Sequence, residues 1–328
     1  MNHKRLRGER VTVNQRVSVI ICAHNSRSDY LGRVVDGLKG QTLPVSAWEL
    51  IFVDNASTEP LANSIPIGWH PSGRHVREDQ LGLTSARLRG IRESKGQLLV
   101  FVDDDNVLDT TYLQSAVGIA SAYPFIGAFG GSISGEFEVS PPRWLKRDHQ
   151  MRLGICTIDR DYWSNSPVWS LATPFGAGMC VRRTVAEDYA RKLAANPFRR
   201  SLGRTGSAMM AGEDLDLAWC AVDLGMGTGR FRALTMTHLI SKRRLTWSYF
   251  THLSAGIAAS NVILKSLRGD ASSSQVSWWR QIARSGVAIA GTPWRELGVA
   301  LAILRAQREA RFLLAKSGPN SQSPAHRA

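Results

Sequence analysis

Cysteine is scarce in the 328-residue sequence, and the four present, Cys22, Cys156, Cys180 and Cys220, stand far apart with no CxxC pair among them. That excludes the usual zinc-ligand spacing and a disulfide framework, and predicts buried free thiols in a reducing compartment. No apolar run reaches the roughly 18 residues that a membrane-spanning helix needs. The nearest, 285–291 and 297–304, are separated by Pro293, Trp294, Arg295 and Glu296. The first sixteen residues contain no apolar stretch of the kind that drives secretion, so the sequence predicts a cytoplasmic protein. Neither an internal repeat nor a nucleic-acid-binding motif is present.

Acidic residues are in deficit, 27 against 41 Lys and Arg, for a net charge of +14. The distribution matters more than the total. Residues 1–16 carry +4 and residues 240–328 carry +10, whereas 17–239 hold 23 charges of each sign. A balanced central segment argues against a polyanion-binding face on the core, so no nucleic-acid partner is expected. The basic ends, with Trp278, Trp279 and Trp294, read either as an interfacial anchor to an anionic membrane surface or as a merely solvated surface. With 43% hydrophobic and 21% charged residues the chain is globular, and its length suits two domains or one large one with extensions.

Apolar patterning organises residues 17–122. Val17-Ser-Val-Ile-Ile-Cys22 reads as a central parallel strand, Trp48–Val53 as a second and Gln97–Val102 as a third. Between them, Leu31, Val34, Val35 and Leu38 fall on one face of a helix that Ser28 is placed to cap, and 82–94 reads as another helix. Asp109 opens a third, with Leu113, Ala116, Val117 and Ala120 on one face. This β-α-β-α-β order predicts an α/β fold, an open and mostly parallel sheet with helices on both faces. Residues 123–212, rich in Gly, Pro and Trp, read as loops around a pocket with two strands. A helix over 213–224, a strand over 230–238 and a long helix from Trp247 to Leu267, capped by Thr246, follow. The expected organisation is a basic tail (1–16), a regular α/β half (17–122), a second half that begins with the loop-rich segment (123–268), a linker (269–275), a basic helical extension (276–316) and a disordered tail (317–328).

Ligands of open α/β sheets bind beyond the carboxyl ends of the strands. Three polar strand ends occur there: Asn25, Asp54 and Asp103-Asp104-Asp105. Consecutive acids after a buried strand repel one another unless a hard divalent cation sits among them, and strand alternation puts Asp103 and Asp105 on one side. A cation held by few carboxylates leaves positions for phosphates, so a diphosphate-bearing substrate follows, with Asp54 toward a ribose or base. The plainer alternatives are a solvated acidic turn for 103–105 and a turn-forming Asp for Asp54.

Taken in order, Val17-Ser-Val-Ile-Ile-Cys-Ala-His-Asn25, Phe52-Val-Asp54-Asn-Ala-Ser57, Leu83-Thr-Ser-Ala-Arg87-Leu-Arg-Gly90-Ile, Phe101-Val-Asp-Asp-Asp105, Gly176-Ala-Gly178-Met and Gly212-Glu-Asp214-Leu-Asp-Leu resemble family 2 glycosyltransferases of the GT-A fold over roughly 17–260. The resemblance implies inverting transfer of a sugar from a nucleotide diphosphate sugar, UDP-type favoured, to a glycan or lipid-linked acceptor in cell-envelope or exported glycan synthesis. It implies Asp214 as the catalytic base. It implies donor contacts from His24, Asn25, Asp54, Arg87, Asp103, Asp104, Gly178, Glu213 and Arg244, and a Mn or Mg ion on Asp103, Asp105 and His238. Each role has a structural counterpart: an ordinary helix start for Glu213-Asp214, a satisfied strand-end histidine for His238, a solvated basic turn for Arg244. Trp144, Trp163 and Trp169 suit either sugar stacking or packing.

The sequence departs from the family at Cys22-Ala-His24-Asn25, where the family has Pro-Thr-Tyr-Asn, so His24 takes the base-stacking place. It departs again at Leu88, where a polar Asn is usual. The Gln-x-x-Arg-Trp signature of processive synthases is missing, Gln275–Arg280 being a loose echo, which favours addition of a single sugar. A nucleotidyltransferase is the rival within nucleotide-sugar chemistry, but residues 22–30 contain neither the Gly nor the Lys of its phosphate loop. A non-enzymatic basic binding protein is the rival outside it.

Overall fold

The computed structural model describes residues 17–206, 208–269 and 294–316. The expected terminal tails, most of the expected linker and the first part of the expected extension, with Trp278 and Trp279, lie outside the described residues.

Three strands enter the sheet as expected: β1 (Val17–Ala23), β2 (Trp48–Asn55) and, after an edge strand β3 (Gly73–Glu78) that the patterning did not signal, β4 (Leu98–Asp103). These four run parallel in the order β3-β2-β1-β4. Burial of both faces explains the nearly unbroken apolar runs, and alternation divides them. Val17, Val19 and Ile21, with Leu50, Phe52, Val100 and Val102, pack under α1 (Ser28–Lys39) and α3 (Tyr112–Ala122). Ile20, Ile51, Val53, Leu99 and Phe101 face α2 (Leu83–Glu93), α5 (Arg183–Ala195) and α6 (Glu213–Asp223). Gly90 lets α2 approach, because a Cβ there would stand 2.3 Å from Ile20 Cγ2. Each fully buried aliphatic or aromatic side chain contributes about 1.5–3 kcal/mol.

The second half of the sheet is mixed. β8 (Cys180–Arg182) is antiparallel to β4 and to the long β6 (Ile126–Phe137). Then β6 pairs parallel with β9 (Gly227–Ile240), which also receives the short strands β5 (Asn106–Leu108) and β7 (Tyr162–Ser164) antiparallel. Thus the sheet is parallel over β3-β2-β1-β4 and mixed beyond, where β8 is antiparallel to both its neighbours, β6 is parallel to β9, and α5 and α6 span the connection from β8 to β9. A short α4 (Arg147–Arg152) lies in the loop-rich segment.

Two expected caps meet different outcomes. Ser28 is already the first residue of α1, and Arg27 precedes it without a side-chain cap. Thr246 does cap α7 (Trp247–Leu267), its hydroxyl accepting from Tyr249 N. α8 (Trp294–Lys316) supplies the described part of the helical extension. It lays Ala306, Ala310 and Leu314, one face at i, i+4 spacing, on a cluster with Ala259, Val262 and Ile263 of α7 and Trp219 of α6. No helix among the described residues is long and apolar enough to cross a membrane. Each of the four cysteines is a buried free thiol.

Candidate active site

The carboxyl ends of β1, β2 and β4 open onto a cavity of about 1270 Å³. Its floor is acidic, because β4 ends at Asp103 and a turn carries Asp104 and Asp105 into β5. Alternation therefore stops at Asp103, and the three carboxylates diverge.

Asp103 Oδ1 receives Arg87 Nη2 at 3.5 Å. Asp104 accepts from the Ser26 hydroxyl. Burial and the neighbouring Asp105 charge push Asp104 up to about 7. Asp105 turns the other way. The β5–β9 register sets Asn106 opposite His238, and Leu239 N donates to Asp105 O at 2.9 Å. His238 Nε2 thereby comes within 3.4 Å of Asp105 Oδ2. Arg244, on a 3-10 turn after β9, reaches the same carboxylate at 3.0 Å and places Nη1 2.6 Å from His238 Nε2. Burial alone would raise the Asp105 carboxyl, but Arg244 and His238 hold it well below the usual carboxylate range.

Among the described residues no group of three or more His, Cys, Asp and Glu side chains is arranged to hold a metal ion. Asp105 and His238 stand side by side with Arg244 on both of them, one carboxylate and one imidazole of the expected ligand set. His238 Nδ1 is buried without a partner. Asp103, expected in the same ligand set, is drawn to Arg87 on the opposite wall.

Arg87 is the centre of that wall. It is 2% exposed, donates to Glu213 Oε1 at 2.8 Å, and lies over the Phe101 ring. Burial, with Asp214 beside it, pushes Glu213 up to about 7 even against the Arg87 charge. Glu213 and Asp214 occupy the first turn of α6, where the helix dipole favours negative charge. Asp214 is half-buried, and its Oδ2 accepts from Gly176 N at 3.0 Å. A Cβ on Gly176 would stand 2.7 Å from Arg87 Nη2 and 3.0 Å from Asp214 Cβ, so only glycine brings that backbone N–H to the carboxylate.

The remaining expected residues are placed as follows. His24 lines the cavity, with Nδ1 2.7 Å from Asn55 O. Asn25 does not line it. In the left-handed region at φ 47°, its backbone N–H donates to Ser57 Oγ at 2.9 Å, and its Oδ1 accepts from Thr58 N. Asp54 is also turned away from the cavity, since its loop uses up its oxygens: Ser57 N donates to Oδ1, and Leu61 N and Arg77 Nη1 donate to Oδ2. Burial would raise Asp54, but these bonds keep it lowered. Gly178 lies behind the wall at φ 68°, its carbonyl accepting from Tyr112 OH at 2.6 Å, and Gly176 and Ala177 are the members of that motif that face the cavity. Of the three tryptophans, Trp169 lines the cavity, Trp163 meets Phe125 edge-on, and Trp144 packs with Trp247 and Phe250.

Arg204 also lines the cavity and was missed from the sequence, as was Ser26, the partner of Asp104. The only signal for Arg204 is its position between Gly203 and Gly206, shortly before Gly212.

The family model for Glycosyl transferase family 2 matches residues 18–189, just over half of the chain. Glycosyltransferase AglE of Haloferax volcanii is 30% identical over 108 residues, 32% of this chain and 35% of the relative, so the chain spans about a third of the length of that curated relative. The crystal structure of GalNAc-T7 with UDP, GalNAc and Mn2+ superposes with a TM-score of 0.50 at 16% identity, covering 78% of this chain and 54% of the other, a likeness of fold. S. aureus TarS 1-349 superposes with a TM-score of 0.44 at 14% identity, over 92% of both chains. With the ordered carboxylates at the strand ends and the family match across the half-chain that holds them, the protein belongs to glycosyltransferase family 2.

Proposed function

We propose that the cavity transfers a single sugar from a nucleoside diphosphate sugar to an acceptor hydroxyl, with inversion, and that Asp214 is the base. The observation that carries this reading is the placement of one half-buried carboxylate, fixed by Gly176 N, in the same cavity as the Asp103–Asp105 acids and the Arg87 and Arg244 guanidiniums.

Asp214 takes the proton of the acceptor hydroxyl while the acceptor oxygen bonds to the anomeric carbon and the bond from that carbon to the diphosphate oxygen breaks. One base suffices for a single displacement. Arg87 holds Glu213, the neighbour of Asp214 in the first turn of α6, and packs beside Gly176, whose N–H orients Asp214. Arg244 lines the cavity beside Asp105 and takes the leaving diphosphate, since a guanidinium matches phosphate oxygens with two parallel donors. When bound, a Mn or Mg ion at Asp105 and His238 supplies positive charge to the diphosphate. The GalNAc-T7 neighbour was crystallised with UDP, GalNAc and Mn2+, the ligand class proposed for this cavity.

The acceptor is a glycan or lipid-linked glycan of the cell envelope, reached from the cytoplasmic face of a membrane. Supporting this, α8 exposes Leu301 on a helix that also carries Arg305 and Arg308.

The test is a thermal-shift panel of nucleoside diphosphates with and without Mn, because a ligand specific for the native state raises its stability, followed by transfer assays with the nucleotide selected. Asp214→Asn is expected to lower kcat roughly 100- to 10,000-fold, with diphosphate affinity within about twofold of the parent. The released product is the nucleoside diphosphate. Full activity in Asp214→Asn, or release of pyrophosphate instead, would sink the reading.

A further inference from the structure

Most cationic side chains that line the cavity are already committed. Arg87 holds Glu213 and Asp103, Arg244 holds Asp105, Arg152 donates to Ser254 Oγ and Arg268 to Asp223. Arg204 and Lys265 have no hydrogen-bond or ion-pair partner for their side chains among the described residues. Lys265 is exposed near the end of α7, whereas Arg204 is half-buried. Arg204 lines the same cavity as Asp105 and Glu213, and both carboxylates feel its positive charge.

Its backbone is pinned there. Leu83 N donates to Arg204 O at 3.0 Å. Gly82, at φ 137°, lets the loop close down, since a Cβ there would meet Thr205 Oγ1 at 2.9 Å. On the other side, a Cβ on Gly203 would lie 2.1 Å from Thr84 Oγ1. The loop is thus clamped to the first turn of α2, the helix that carries Arg87. A half-buried guanidinium with every donor unused, lining the cavity from a loop pinned to α2, is set to receive an anion from outside the chain.

We propose that Arg204 is the residue that grips the distal phosphate of the donor diphosphate and stabilises it as the leaving group. This rests on the donor reading above. A guanidinium fork suits phosphate oxygens better than an ammonium does, and negative charge on the diphosphate grows as the bond to the sugar breaks, so the contact strengthens toward the transition state.

The experiment titrates the full-length chain with UDP and UMP, or with the diphosphate that the panel selects and its monophosphate, by calorimetry in the presence of Mn. Arg204→Ala is expected to weaken the diphosphate roughly 10- to 100-fold and the monophosphate less than twofold, with Arg204→Lys recovering part of the loss. Arg204→Gln serves in place of Arg204→Ala if the smaller residue does not fold, as judged by its urea midpoint. Equal losses for both nucleotides, no loss for either, or a change confined to the acceptor KM would overturn the assignment. A wild-type chain that binds no nucleoside diphosphate at all would instead refute the donor reading, and the assignment with it.

Discussion

Replacing Arg87 by Met keeps the length of the side chain and deletes the guanidinium that joins Glu213, 2.8 Å away, to Asp103, 3.5 Å away. Both Arg87 and Glu213 are buried, and removing one partner of a buried pair costs about 3–5 kcal/mol because the other charge is stranded. Glu213 can escape that by taking up a proton. Its carboxyl already stands at about 7 with the Arg87 charge beside it, and that charge is one of the influences holding it down. Without Arg87 its pKa rises further. Below pH 7 both proteins hold the proton in the folded state, so the deficit is constant. Above pH 7 the parent has released it and its stability is flat in this respect, while the variant still binds it. The variant then loses up to about 1.4 kcal/mol per pH unit relative to the parent. Urea unfolding at pH 6, 7, 8 and 9, followed by tryptophan fluorescence, measures the difference. The expected result is a deficit of about 3 kcal/mol or more at pH 8 that grows from pH 7 to pH 9, with the growth removed in the double variant Arg87→Met/Glu213→Gln. A deficit under about 1 kcal/mol at pH 8, or one equal at pH 6 and pH 9, would refute the coupling.

Gly176→Ala drives a methyl group into Arg87 Nη2 and Asp214. It is expected to cost about 1–3 kcal/mol in urea unfolding and to depress transfer more strongly than it depresses diphosphate binding. Thr246→Ala removes the hydroxyl that receives Tyr249 N at the start of α7 and should cost about 1 kcal/mol, read as a lower urea midpoint with activity retained. Cys22 is pushed up to about 12 by burial, so thiolate-selective labelling at pH 8 should leave it unmodified in the folded chain and reach it once urea unfolds the protein. Rapid labelling of Cys22 in the native state would contradict its burial.

The local apolar code was sufficient for the first half of the fold. Short, nearly unbroken apolar runs marked β1, β2 and β4, which are buried on both faces, and apolar positions at helical spacing marked α1 and α3, because each of these elements buries its residues in a way that the chain must write into neighbouring positions. β3 went unread because an edge strand with the pattern Gly-Arg-His-Val-Arg-Glu buries only Val76 fully. Ser28 was placed one residue off as a cap because a helix start depends on backbone angles, and several neighbouring positions satisfy the same residue preferences. In the second half, β8 inserts antiparallel between β4 and β6 while β6 and β9 run parallel, and the Gly- and Pro-rich stretch 123–212 carries no periodicity that announces this order.

The same division holds for the site. The sequence by itself determined that carboxylates would gather beyond β4 and that Glu213-Asp214 would begin a helix, since both follow from short stretches of chain. Only the tertiary structure decided which charges meet. Arg87 and Glu213 lie 126 residues apart, Asp105 finds His238 through the β5–β9 register, Asp54 spends its oxygens on its own loop and on Arg77, and Arg204 stays unpaired beside them. Local patterns record how deeply a residue is buried, whereas the pairing of charges depends on which distant segments the closed chain brings within about 4 Å of each other.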